Sequence, residues 1–344
     1  MASEAPPFWW ERPDWRAYAL YPLSAIYGAV ARRRMNAAKR EKIDCPVLCV
    51  GNLTVGGAGK TPVAIALAAT ATRLGRNPGF LSRGHGGSFS EPHLVDAHHD
   101  SARHVGDEPL LLAEHAPVAV TPNRAHGAHL LIESGCDFLI MDDGFQSARI
   151  HIDFALLVID ARRGLGNGHI IPGGPMRAPL LDQLRLADAV LKMGEGSAAD
   201  HVIRRAARAG KPIFEAVARP RDPGAIAGRR LLAFAGIGNP DKFYATITEA
   251  GGTVALTRSF GDHHFYLDDE LIDLAAAARS DGLEIVTTAK DAARLRHGSA
   301  AAQALLEQAH VLQIDTKFEP DSVPERLIEE TLKNWRERKL RNGT

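Results

Sequence analysis

The chain has no excess of either charge. Its 344 residues carry 41 Lys plus Arg against 41 Asp plus Glu. That balance removes the global basic field on which nucleic-acid binders rely, and no acidic block marks a disordered tail. Cysteine is scarce: Cys45, Cys49 and Cys136 are the only three. They show no metal-type spacing, and two lie in apolar runs that look like buried strands. The plain expectation is reduced, structural thiols in a cytoplasmic protein. No repeat recurs at a solenoid period. No apolar run reaches the roughly 20 residues needed to span a bilayer as a helix. What remains is an ordinary 45% hydrophobic content and a length that suits two domains.

The N-terminus departs from this profile. Residues 17–31, AYALYPLSAIYGAVA, are apolar almost all round and uncharged. RRRMNAAKREK follows at once, with six basic residues and one acidic. A signal peptide would place its positive charges first and a cleavage site after, and neither is found. Trp9, Trp10 and Trp15 precede the stretch, and Tyr18, Tyr21 and Tyr27 lie within it. Such aromatics favour the headgroup region. A basic cluster beside an apolar helix is drawn to anionic lipid by about 1 kcal/mol per charge. The expectation is a helix that dips into the cytoplasmic leaflet without crossing it. The competing reading is a core helix packed on the first domain.

Beyond residue 44 the pattern alternates. Apolar, β-rich runs fall at 46–51, 137–141, 154–160 and 188–193, with helical stretches such as 61–74 and 124–134 between several of them. Continuous apolar strands between helices predict a parallel sheet covered on both faces. A Pro-, Gly- and Arg-rich segment, 218–228, reads as a linker. A second alternation follows, with strand candidates at 231–235, 253–256, 283–287 and 310–314 and a last helix near 323–340. The predicted fold class is α/β. A P-loop NTPase-type domain over 45–224 is joined to a smaller α/β domain over 225–344, with a membrane-associated helix in 1–44.

The P-loop assignment rests on residues 54–61, TVGGAGKT. They fit G-x-x-x-x-G-K-[ST] except that Thr54 replaces the first glycine. Gly56, Gly57 and Gly59 let the backbone turn and aim its N–H groups at phosphate oxygens, and Val55 and Ala58 complete the loop. The helix start beyond adds a favourable dipole. Lys60 supplies a point charge to the β- and γ-phosphates, and the Thr61 hydroxyl is a magnesium ligand. Pro62 fits the first helical turn.

Two acids, Asp142 and Asp143, end the strand-like DFLIMDD. A P-loop protein needs an acid at the end of a neighbouring strand to hold magnesium or its water. Paired acids there also serve as loop starts or helix caps. Asp107 and Glu108 stand at the mouth of a predicted helix, where capping is the bland explanation. Asp262, His263 and His264 follow a strand of the second alternation. Without companion ligands they read as a loop in which a histidine tunes or orients an acid.

These segments also occur together in one order: VGNLTVGGAGKTP, LSRGHGG, VGDEPLLL, MDDGFQ, GNGHIIPGGPMRAPL, FAGIGNPDKFY, FGDHHFY and TTAKDAAR. In that order they resemble the tetraacyldisaccharide 4′-kinase family over nearly the whole chain. The resemblance implies two α/β domains with a nucleotide in the cleft between them. It implies transfer of phosphate from ATP, with Mg²⁺, to the 4′-hydroxyl of a tetraacylated disaccharide 1-phosphate in lipid A biosynthesis, forming lipid IVA. It also implies a site at the cytoplasmic face of a bacterial inner membrane, an anionic lipid surface as partner, and no obligate protein partner. By motif, Lys60 and Thr61 would hold ATP and magnesium, Asp107 would be the catalytic base, His263 its partner, and Asp142 and Asp143 the metal- or substrate-positioning pair. The chain departs from the family pattern at His85, Ser147, Ala178 and Ala289.

A membrane-associated P-loop switch ATPase is the rival reading. Its deviant loop carries a lysine just before the two glycines, where this chain has Val55. Such proteins also tend to use a C-terminal membrane helix. A nucleotide-binding metallochaperone would need Cys/His ligands that three scattered cysteines do not provide.

Overall fold

The computed structural model describes residues 5–37, 39–84, 91–146 and 149–342. Thirteen strands are found among them: β1 (Val47–Asn52), β2 (Pro78–Ser82), β3 (His93–Leu94), β4 (Val118–Val120), β5 (Phe138–Asp142), β6 (Phe154–Asp160), β7 (Ala189–Met193), β8 (Ile213–Pro220), β9 (Arg230–Ala235), β10 (Thr253–Ser259), β11 (Glu284–Thr288), β12 (Ala309–Leu312) and β13 (Ile314–Glu319). They form a nine-stranded sheet, ordered β13-β8-β7-β6-β1-β5-β2-β4-β3, and a four-stranded sheet, ordered β10-β9-β11-β12.

The large sheet is parallel except at its edges, where β3 runs against β4 and β13 against β8. Strands β1, β5 and β6 are buried at every position. Their side chains alternate between two cores. Val47, Cys49, Leu139 and Met141 enter one face. Leu48, Val50, Phe138 and Ile140 enter the other. A sheet covered on both faces needs this apolar content on both sides of each strand. All three cysteines are buried and unpaired with one another. Burial pushes the Cys45 and Cys49 thiols up to about 12 and that of Cys136 to about 11, which leaves them unreactive at neutral pH.

The second sheet is parallel throughout and has its own cores. The expected C-terminal unit, 225–344, differs from the observed path. After β12 the chain returns, and β13 pairs antiparallel with β8 in the large sheet. The final helix, Val323–Asn342, buries Leu327 and Ile328 in the core that holds the helix Lys60–Arg73. Strands β3, of two residues, and β4, of three, fall below the run lengths that periodicity detects.

The N-terminal helix is broken. It runs Trp15–Ala19 and then Tyr21–Ala37, with Pro22 in the first turn of the second piece. Ser24, Gly28 and Met35 are buried and Ala31 half-buried on one stripe, at i, i+4, i+7 and i+11 spacing. Ser24 Oγ donates to Ile170 O at 2.7 Å and accepts from Gly173 N at 3.0 Å. A Cβ on Gly28 would come within 2.9 Å of Ile170 Cδ1. The opposite side exposes Trp15, Tyr18, Tyr21, Leu23, Ile26, Tyr27 and Val30. Of the three tryptophans expected at a headgroup level, only Trp15 is exposed, at 76%. Trp9 packs with Phe8 and Ala17, and its Nε1 donates to Pro172 O. No helix of the described residues is long and apolar enough to cross a membrane.

The returning helix is pinned by a buried ion pair. Arg338 donates from Nε to Asp153 Oδ1 at 2.7 Å and from Nη2 to Oδ2 at 3.1 Å and to Ile43 O. The Asp153 side chain is fully buried. Arg338→Ala leaves that carboxylate without its cation, so chemical denaturation should show a loss of about 3–5 kcal/mol. Asp153→Asn combined with Arg338→Met should lose less than the Arg338 single variant.

Candidate active site

Strand β1 lies between β5 and β6, so the loop that follows it opens at the centre of the sheet's C-terminal edge. Gly56 and Gly59 adopt φ of 92° and 90°, a left-handed turn that side chains disfavour. The helix Lys60–Arg73 starts directly after. Trp10 lies beside the loop, 3.6 Å from where a Gly56 Cβ would stand, and the Arg163 guanidinium covers its ring at 4.8 Å. The predicted phosphate loop is therefore supported by the N-terminal segment. Val55 N–H donates to Pro175 O and Ala58 N–H to Gly56 O. Thr54 forms a bridge with Met176 and accepts at its carbonyl from Arg177 Nε at 3.1 Å.

The two acids at the end of β5 have different surroundings. Thr61 Oγ1 donates to Asp142 Oδ2 at 3.3 Å, while Asp142 Oδ1 is buried without a hydrogen-bond partner. Burial, with the nearby Glu108 charge, pushes the Asp142 carboxyl up to about 7, against the pull of Lys60. Asp143 sits at φ 53° and receives both Nη atoms of Arg177, with Lys60 Nζ at 3.8 Å. Burial opposes its ionisation, but Lys60, Arg177 and Arg124 hold it well below the usual carboxylate range. Arg124 is buried and donates to the Asp143 carbonyl at 3.1 Å.

The second sheet supplies the facing wall. Asp107 opens the helix Asp107–Ala113 after Gly106. Its two carboxylate oxygens each lie 3.1 Å from His263 Nδ1, and because an ionised carboxylate only accepts, Nδ1 is the donor when Asp107 is ionised. His263 itself sits at φ 58°. Left-handed geometry at Asp143 and at His263 is the kind of local strain that a functional site holds in place. Burial raises the Asp107 carboxyl, yet the His263 hydrogen bond and the Lys290 and Arg294 charges hold it well below its usual range. The hydrogen bond to Asp107 raises His263, burial opposing. Lys290 pairs with Glu108 across the same contact.

Lys60, Glu108, Asp142, Asp143, Arg177, His263 and Lys290 border one cleft of about 1290 Å³, whereas Asp107, Arg124 and Arg294 lie behind its wall. The predicted residues Val55, Gly56, Gly57, Ala58, Gly59, Lys60, Thr61, Asp142, Asp143 and His263 line it. Thr54 is buried beside the loop. Sequence reasoning missed Arg177, Arg124, Lys290 and Arg294. Arg177 stands in GGPMRAPL, and Lys290 and Arg294 in TTAKDAAR at i, i+4 spacing, which puts both on one helix face. Among the departures, Ala178 is buried and Ala289 lines the cleft. His85 and Ser147 lie outside the described residues.

The family model described as tetraacyldisaccharide-1-P 4′-kinase matches residues 16–332. The chain belongs to that family. A tetraacyldisaccharide 4′-kinase of Mesorhizobium japonicum is 69% identical over 343 residues, covering 99% of this chain and 100% of the relative. One from Chelativorans sp. is 54% identical over 340 residues, covering 99% of each chain. Among solved structures, LpxK from Aquifex aeolicus in complex with ATP is similar at TM-score 0.69 and 25% identity, covering 92% of this chain and 99% of that one.

The His263–Asp107 contact carries a pH signature. A histidine raised by folding contributes stability below its unfolded value, about 6.5, and loses it as pH climbs through the raised value. The stability gap between wild type and His263→Gln should therefore be widest in mild acid and narrow above neutrality. Thermal unfolding across that window reads it directly, and a gap that widens with pH would refute the assignment.

Proposed function

We propose that this member of the tetraacyldisaccharide 4′-kinase family moves the γ-phosphoryl group of ATP to the 4′-hydroxyl of a tetraacylated disaccharide 1-phosphate lying in a membrane leaflet. The observation that carries the reading is one cleft with a P-loop lysine on one wall and a carboxylate-held histidine from the second sheet on the other. The sugar O4′ attacks the γ-phosphorus, the bond to the β–γ bridging oxygen breaks, and ADP departs. The hydroxyl proton passes to the Asp107–His263 pair, which titrates as a unit. His263 lines the cleft and Asp107 stands behind it. In this arrangement the imidazole is the member that meets the acceptor, whereas the family resemblance casts Asp107 in that place. Lys60 and the loop amides offset charge on the transferring group, the largest source of help in a reaction of this class.

Magnesium fits the Thr61–Asp142 corner. The unpartnered, buried Asp142 Oδ1 beside the Thr61 hydroxyl is an oxygen pair of the type that a hard cation takes. Bound there, the ion would neutralise phosphate charge. Asp143 is engaged by Arg177 and Lys60, so its proposed part is to position those cations.

The N-terminal helix supports a lipid acceptor. Tyr27, Val30, Ala31 and Arg34 border the cleft, so the exposed apolar face runs into the mouth of the site. Arg33 and Arg34 are exposed nearby, and Arg32 pairs with Asp182. Apolar contact and basic charge together give an anchor where either alone is marginal. The proposed location is the cytoplasmic face of the inner membrane, with anionic lipid as the contact surface.

Lys60→Ala should abolish transfer with folding intact, since the lysine serves phosphate and not a core. Asp107→Ala and His263→Ala should each lower kcat by about 10²–10⁴. Their double variant should be little worse than the poorer single one, because groups that act as a unit are non-additive. Strictly multiplicative losses would separate the two residues.

Deleting the N-terminal segment would also remove Trp10 from the P-loop, so point changes test the membrane contact more cleanly. Leu23→Glu and Ile26→Glu combined should release the protein from anionic vesicles and leave ATP hydrolysis without lipid unchanged. Full sedimentation of this variant with vesicles would place the anchor elsewhere.

A further inference from the structure

The TTAKDAAR segment has no part in the mechanism above, yet it reaches the proton-accepting pair. Arg294 Nε lies 3.5 Å from Asp107 Oδ2. The Arg294 side chain is 1% exposed and does not border the cleft, so it touches neither nucleotide nor acceptor. Its guanidinium is fixed within its own half of the molecule. Nη2 donates to Asp291 Oδ1 at 2.6 Å, Nη1 to His264 O at 3.3 Å and Nε to Lys290 O at 3.3 Å. Asp291 is fully buried and accepts in turn from Gly236 N at 3.0 Å, Tyr266 OH at 2.6 Å and Thr288 Oγ1.

We propose that Arg294 is a positioning residue for the Asp107–His263 pair, a fixed cation braced by Asp291 that keeps Asp107 ionised and holds its carboxylate square to His263 Nδ1. The proposal rests on the reading of that pair as the proton acceptor.

A carboxylate buried like Asp107 takes up a proton unless charge meets it. The groups that face it are His263, Lys290 and Arg294 from the second sheet's side and Glu108 on its own helix. Asp262 lies on the far side of His263, with its Oδ1 3.9 Å from Nε2. Lys290 is taken up by Glu108, and His263 changes charge during the proposed reaction. Lys290 is a lasting cation too, but it is drawn to Glu108, whereas the Arg294 guanidinium has a geometry set within its own half before Asp107 arrives. An ionised Asp107 keeps the proton of His263 on Nδ1 and leaves Nε2 as the accepting atom.

The test sets Arg294→Gln beside Asp291→Asn/Arg294→Gln, Arg294→Lys and Asp107→Asn, with kcat measured across pH. Arg294→Gln should lower kcat by about 10- to 100-fold, the usual cost of losing a group that orients a reacting one, with the KM for ATP unchanged. The acid limb of the kcat profile should move up by about one pH unit, because removing a nearby cation raises every pKa in the pair. Arg294→Lys should restore the position of that limb. Should the single Gln variant fail to fold, the double variant leaves no unpaired buried charge and stands in for it. It should regain stability and not kcat. A double variant that recovers both kcat and the wild-type acid limb would reduce Arg294 to a structural partner of Asp291. Loss of kcat in Asp107→Asn with wild-type kcat and limb in Arg294→Gln overturns this inference alone. Wild-type kcat in Asp107→Asn overturns the reading of the pair.

Discussion

Charge taken out of water must be met by charge, and in this molecule that constraint ties together segments far apart in sequence. Asp107, Asp142, Asp143, Glu108 and Asp291 crowd into or behind one cleft. Most of them are offset by a cation from another segment. Asp143 has Arg177 and Lys60, Glu108 has Lys290, and Asp107 has His263 and Arg294. Asp291 is met by Arg294 of its own helix, and Asp142 differs from all of them: its one hydrogen-bond partner among the described residues is the Thr61 hydroxyl, and burial pushes its carboxyl up to about 7 against the pull of Lys60 and Lys290. In the proposed reaction this is the carboxylate that would meet a divalent cation. The two β5 carboxylates are neighbours in sequence, yet they differ in partners.

The same constraint explains why the second sheet is needed. Its helix Ala289–Leu295 packs on the helix Asp107–Ala113 and brings Lys290 and Arg294 to Glu108 and Asp107, while His263 comes from a separate loop. Assembly of the Asp107–His263 side of the cleft thus depends on contact between the two halves. An arrangement of this kind lets closure complete the site and exclude water. On the other side, the loop that holds Arg177 is fastened to the N-terminal helix through Ser24 and to the segment before that helix through Trp9. The helix that faces solvent with its apolar side is therefore continuous, through a few hydrogen bonds, with the phosphate loop.

The P-loop and the parallel sheet were legible because their signals are local. A glycine-rich turn between an apolar strand and a helix can be read from a dozen residues, and strands buried on both faces show as unbroken apolar runs at β1, β5 and β6. Asp107 and His263 became site candidates through helix-mouth position, loop context and family resemblance, and the structure brings them together. Arg177, Lys290 and Arg294 were illegible as site residues because their meaning lies in partners more than 30 residues away. The return of β13 and the last helix to the first sheet was hidden for a similar reason. A boundary inferred from composition assumes that the chain leaves a domain once. Trp9 and Trp10 show the limit of compositional reading at the N-terminus: three tryptophans look alike in sequence, and only packing separates the exposed one from the two that support the loop.

The proposed reaction joins a nucleotide to a lipid hydroxyl within one cleft. The direct measurement follows the fate of label from γ-labelled ATP, with magnesium, in the presence of vesicles carrying the tetraacyldisaccharide 1-phosphate. Label should appear in the lipid in proportion to ATP consumed, and lipid-free consumption should be slow. Label released as inorganic phosphate at a rate indifferent to the lipid would contradict the proposed reaction.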